Sequence, residues 1–199
     1  MLRYLVLLLA LCGCNATSSP TEAPKPVEAP KPVEVSFSPK CEKSKFSIPM
    51  SDFTYGMTRD ETIATAKRLF PSADMHDDGA RVGFLFSQNT HPTYDFLAFR
   101  FAQGQLVQVD FSYSNKFIRE LGGFDSASFG LVKKATEKYE GDPDLNGDDD
   151  EWEVMWEVHD GAKMSIRCFR PSTVTMSFSC GHLETTLQKK AQDEANFGF

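Results

Sequence analysis

The stretch Leu106 to Tyr113 constrains this chain's fold more than any other. Val107, Val109, Phe111 and Tyr113 alternate with Gln108, Asp110 and Ser112. A period of two sends the first set to one face of a strand and the second to the other, so one face meets a core and the other meets water. Such a half-wet strand belongs to an antiparallel sheet. Gly104 marks a tight connection to the preceding strand signal at Thr93 to Phe101, and Arg81 to Ser87 reads as a third strand. Ahead of them Thr58, with Glu61 three residues on, forms the signature of a capping box. Ile63, Ala66, Leu69 and Phe70 line one face of the helix that follows, and Pro71 stops it.

The same order recurs. Asp125, Ser126 or Ser128 can cap a helix that turns Leu131, Val132, Ala135 and Tyr139 inward and closes at Gly141. Strand signals follow at Glu151 to Val158, Ala162 to Arg170 and Thr173 to Cys180. Thr58 to Ser126 and Leu106 to Thr173 are offsets of 68 and 67 residues. The expectation is an α+β domain of two αβββ repeats, about 53–114 and 124–181, forming antiparallel sheet packed against helices. A C-terminal helix over 182–195 carries the stripe Leu183, Leu187, Ala191 and Ala195. Cys41 to Tyr55 reads as a strap over the core, with a short edge strand at Lys45 to Ile48.

Residues 1–40 do not belong to that domain. After Arg3, Leu5 to Cys14 reads LVLLLALCGC, a secretory signal over 1–13 that is too short to span a bilayer. Leu11, Cys12, Gly13 and Cys14 resemble the lipobox of bacterial lipoproteins. The resemblance implies cleavage before Cys14, a diacylglycerol on its thiol and anchorage to a bilayer of the bacterial envelope. Asn15 rather than Asp after the Cys points to the outer membrane, by analogy with lipoprotein sorting. An ordinary signal cut after Ala16 is the alternative. Residues 14–40 then hold APKPVE twice, at Ala23 to Glu28 and Ala29 to Glu34. This Pro-rich tract cannot bury a core, and in extended polyproline form it reaches roughly 80 Å. A spacer is the reading, with an SH3-type ligand as the sharper alternative.

Without residues 1–13 the chain has 20 basic and 28 acidic residues, a net charge of −8. That argues against nucleic acid. The excess is local: Glu140 to Glu153 holds eight acidic residues and no basic one. Within it Asp142, Asp144, Asn146, Gly147 and Glu153 satisfy the calcium-loop spacing, with Asp148 as a further oxygen donor. Asp149 stands where such loops place an apolar residue, and Trp152 onward reads as strand, so a solvated acidic connection is the competing reading. Calcium is the one cofactor the residues suggest. His76, His91, His159 and His182 sit apart at turns or element ends, and no thiolate zinc spacing exists.

Seventeen Phe point to an aromatic core or to an aromatic binding surface. Cys41, Cys168 and Cys180 suit one disulfide and one thiol in an oxidising compartment. Met164, Ile166 and Cys168 share a strand face, as do Val174, Met176, Phe178 and Cys180. A turn at Pro171 and Ser172 leaves Cys168 and Cys180 some 15 Å apart, beyond the ~7 Å a bridge allows. Cys41 therefore pairs with Cys168 or Cys180, Cys180 being favoured.

Gly56, Met57, Thr58 and Glu61 ahead of antiparallel strands resemble the small outer-membrane assembly lipoproteins of the BamE/SmpA type, over roughly Phe53 to Tyr113. The doubled pattern is similar to the β-lactamase inhibitor proteins, whose two helix-plus-sheet repeats pair into one sheet, which implies protein recognition without catalysis. No G-x-S-x-G, phosphate-loop or dinucleotide motif is present, and no catalytic residue is nominated. The expected function is a non-catalytic protein-binding or scaffold module with an envelope protein as partner. A calcium-binding protein and a cryptic hydrolase are the alternatives. The Trp152 and Trp156 face is a binding candidate; if it faces the core instead, the open side carries Glu153, Met155 and Glu157.

Overall fold

Thr58 opens the first helix as its spacing predicts. Its Oγ1 accepts from the Glu61 amide while the Glu61 carboxylate accepts from the Thr58 amide, so two backbone donors at the helix start are satisfied. The computed structural model describes residue 41 and residues 47–87, 91–139, 142–157 and 161–197. The signal, Cys14, the Pro-rich tract, Lys45, Gly141, Val158 and His159 lie outside them. After α1 (Arg59–Leu69) come β1 (Asp74–Asp77), β2 (Arg81–Leu85), β3 (Tyr94–Ala102) and β4 (Gln105–Tyr113). Then follow α2 (Asn115–Glu120), α3 (Phe124–Lys138), β5 (Asp144–Gly147), β6 (Glu151–Glu157), β7 (Ala162–Phe169), β8 (Thr173–Cys180) and α4 (Gly181–Phe197).

All eight strands form one antiparallel sheet in the order β1-β2-β3-β4-β8-β7-β6-β5. The α+β class is as expected. Two strands and one helix were not: β1, β5 and α2 bring each run of strands to four rather than three. Other boundaries differ locally. Gly123, at φ 97°, caps α3 with backbone alone, where Asp125, Ser126 and Ser128 were the expected caps. A glycine reaches this conformation without a Cβ clash, so no side-chain cap is needed to turn the chain. Ser47 and Ile48 are not strand.

The seam of the sheet is β4 against β8, with Val109 opposite Phe178 and Phe111 opposite Met176. On that face the inward residues run across the strands without a break: Val82, Phe99, Val109, Phe178, Met164 and Trp156 are each 3% exposed or less. Ala66 of α1, Ala127 and Ala135 of α3, and Leu183 and Leu187 of α4 close the same core. Five of the largest fully buried side chains are Phe53, Phe84, Phe99, Phe111 and Phe178. The phenylalanine load therefore goes mainly to the core, where each ring removes about 150 to 250 Å² from water.

Alternation also settles the cysteines. Cys180 is bonded to Cys41, with Cα atoms 5.9 Å apart. Cys168 stands opposite Val174, well along the strand from Cys180, and is a buried free thiol. Burial pushes that thiol up to about 12, so it is neutral and unreactive at ordinary pH.

A chain of rings runs from Phe86 through His91, Tyr94 and Tyr113 to Phe117, with centroids 5.1 to 5.3 Å apart at each step. His91 Nδ1 accepts from the amides of Tyr94 and Thr93 at 3.1 and 3.3 Å, so that nitrogen must carry no proton. Burial lowers the His91 pKa, and the unfolded chain, near the ordinary value of ~6.5, takes up the proton first. The contribution of His91 to stability is thus complete above pH ~6.5 and is lost as pH falls through the folded value. An NMR titration of His91 in the folded protein should show a midpoint below ~6.5; one above that value contradicts this account.

Candidate functional site

The pleat that fills the core with one set of side chains presents the other set on the opposite face. There β8 contributes Thr175, Ser177 and Ser179, and β7 contributes Lys163, Ser165 and Arg167. The small hydroxyl residues make the floor of a cleft of about 480 Å³, with Ser112 and Thr175 joined Oγ to Oγ1 at 2.9 Å. Longer charged side chains wall it on both sides.

One wall is a continuous network. Arg81 donates to Asp110 at 3.1 Å, Gln108 Nε2 donates to Asp110 at 2.7 Å, and Arg100 Nε donates to Gln108 Oε1 at 2.9 Å. The Arg100 guanidinium then grips both Glu184 oxygens, at 2.6 and 2.8 Å, which ties α4 to β3. This fork holds the Arg100 pKa even higher than usual, chiefly through the Glu184 hydrogen bonds. Asp110 is only 8% exposed, and two donors satisfy its carboxylate. The other wall pairs Arg167 with Glu153 at 3.2 Å and Lys163 with Glu157 at 3.1 Å. Each wall is thus charged but locally balanced, and its long side chains are held in place.

The tryptophan face is not this surface. Trp156 is 3% exposed and Val154 is 5% exposed, both in the core, so the reading that leaves Glu153, Met155 and Glu157 on the open side is the observed one. Trp152, half-buried, stacks on Phe129 of α3 at 6.1 Å.

The calcium-spaced residues take a form other than a loop. Asp144 to Asn146 are strand β5, paired with β6 so that Asn146 faces Glu153. Asp148 accepts from the amides of Glu151 and Asp150 in the hairpin turn, which holds its pKa low, and Glu153 is paired with Arg167. Asp142 precedes the strand and is exposed. Gly147 is required by the backbone: at φ 120°, a Cβ there would lie 2.2 Å from the Glu151 carbonyl oxygen. Among the described residues no three of His, Cys, Asp and Glu gather as a metal site.

A second concavity, of about 530 Å³, lies between α3 and the β5–β6 hairpin. Phe129, Val132, Pro143, Leu145, Trp152 and Val154 line it, and Asp148, Asp149 and Arg170 stand at its rim. Phe129 is 64% exposed and Leu145 is 71% exposed, unusual for large apolar residues. Nothing in the sequence periodicity marks these two, because Phe129 is an outward residue of α3 and β5 is exposed along its whole length. Their being apolar where water was expected is the one signal that could have found them. No family model, no curated protein and no solved structure matches this chain.

Proposed function

We propose that this chain is a lipid-anchored, non-catalytic protein of the bacterial envelope that binds another protein through the open face of its sheet. The observation that carries the reading is the hydroxyl floor of Ser165, Thr175, Ser177 and Ser179 between two rows of paired charges. Small donors and acceptors on rigid strands accommodate the backbone of a partner, and the fixed charges beside them set its orientation and reject mismatched ones. Each meander of four strands is preceded by a helix, and this order supports two copies of one structural unit joined at β4 and β8. Joining two units edge to edge doubles the width of the open face without adding a core, which suits recognition of a large ligand. Cys14 as the lipidated residue and residues 14–40 as the spacer supply the tether, since a diacylated chain is held stably where a single acyl chain is not.

A photo-crosslinking side chain at Ser177 in the native envelope should give a discrete adduct by mass spectrometry, and the same probe at Lys133, exposed on α3, should not. Cys14→Ser should release the protein from the membrane fraction and remove the adduct. Equal adducts from both positions, or none together with turnover in a hydrolase screen, would defeat the reading.

A further inference from the structure

We propose that the groove between α3 and the β5–β6 hairpin docks an extended, basic segment of another protein, which adds as a strand to the free edge of β5 and seats an apolar side chain between Phe129 and Leu145. The surface is separate from the open face and stands whether or not that face binds. Three features converge on it. β5 is the last strand of the sheet, and its outer edge has no strand beside it among the described residues. Such an edge offers a row of backbone donors and acceptors to an incoming chain. Leu145 faces the core side of the sheet, opposite Val154, yet is 71% exposed because α3 stops short of covering it. An incoming strand brings alternate side chains to that side, into the gap that Phe129, Val132 and Trp152 leave open.

Charge selects the occupant. Asp148, Asp149 and Asp150 form the hairpin turn at the end of this edge and Glu151 begins β6, and no cation among the described residues pairs with them. Arg170 at the rim is engaged by Asp125 at 3.2 Å. A second copy of this chain, paired antiparallel through β5, would set these acids beside its own Asp142 and Asp144, whereas Lys or Arg at the water-facing positions of an added strand meets them favourably. The opposite edge, β1, is equally short, but this apolar groove lies beside β5 and not beside it.

The test is fluorescence anisotropy of the intact protein with a labelled peptide of about eight residues alternating Lys and Val, an ordinary strand length. An alternating Glu and Val peptide is the control. The Lys peptide should bind, weaken as salt is raised, and lose about tenfold or more in affinity on Phe129→Ser with Leu145→Thr. Both substitutions are at exposed positions, and an unreactive Cys168 thiol reports that the core is intact. Equal binding of the two peptides, binding unaffected by the double substitution, or self-association abolished by Leu145→Thr would each overturn the proposal.

Discussion

Cys41→Ser is expected to cost about 3 to 5 kcal/mol of stability, because the bridge it removes closes a loop spanning 139 residues of sequence. Nearly the whole domain lies within that loop, so the unfolded chain loses much of its freedom when the bond is present. Cys180→Ser should cost the same, and the double substitution little more than either alone, since one bond is lost in all three. Denaturant midpoints of the four proteins check this, and additive losses would mean that the two cysteines act separately. In the folded oxidised protein Cys168 should resist thiol reagents until the chain unfolds, being buried and held neutral.

Phe99→Ala should be nearly as damaging, at about 3 to 5 kcal/mol. Its ring is fully buried at the middle of β3, 4.7 Å from Phe53 and 6.0 Å from Phe84, and its strand neighbours are Val82 and Val109. Strands on both sides fix the walls, so the cavity cannot collapse from within the sheet. The elements packed over it, the strap that carries Phe53 among them, can move in, and if they do the loss falls toward the lower figure. Phe129→Ala, at a residue that is 64% exposed, should change stability by no more than about 0.5 kcal/mol. Thermal or denaturant unfolding of the pair separates core phenylalanine from surface phenylalanine. Similar losses would contradict the assignment of the two rings.

The strands that could be read from the residues are those with one dry face. Val107, Val109 and Phe111 against Gln108 and Asp110, or Val154 and Trp156 against Glu153 and Glu157, carry their burial in their chemistry, and the same alternation on β7 and β8 excluded a bond between Cys168 and Cys180 while leaving either as the partner of Cys41. Asp74 to Asp77 and Asp144 to Gly147 are exposed along their whole length at the two edges of the sheet, so hydrogen bonding to a neighbour, not burial, makes them strands. Such a segment has no period to detect. The same fact explains the calcium spacing: acidic residues and a glycine at alternate positions suit a wet edge strand and its hairpin as well as a cation loop. On the open face Gln108, Asp110 and Ser112 were legible as polar alternation and Glu153, Met155 and Glu157 as the side opposite the tryptophans, but the network that joins Arg81 to Glu184 was not. That wall joins residues from β2, β3, β4 and α4, which only the strand order brings together.

The bond between Cys41 and Cys180 also decides how the domain answers a pull. Force entering from the chain ahead of Cys41 crosses the bond to the end of β8, where α4 begins, and need not pass through the residues between. Drawn from ahead of Cys41 to beyond Cys180, the oxidised protein yields no length from the residues between, and the sheet and its open face sit in a closed loop that carries no load. Reduction puts the same sheet in the path of the force. The bridge therefore works as a mechanical bypass as well as a thermodynamic constraint, and extension under load would differ between the two states by most of the length of the domain.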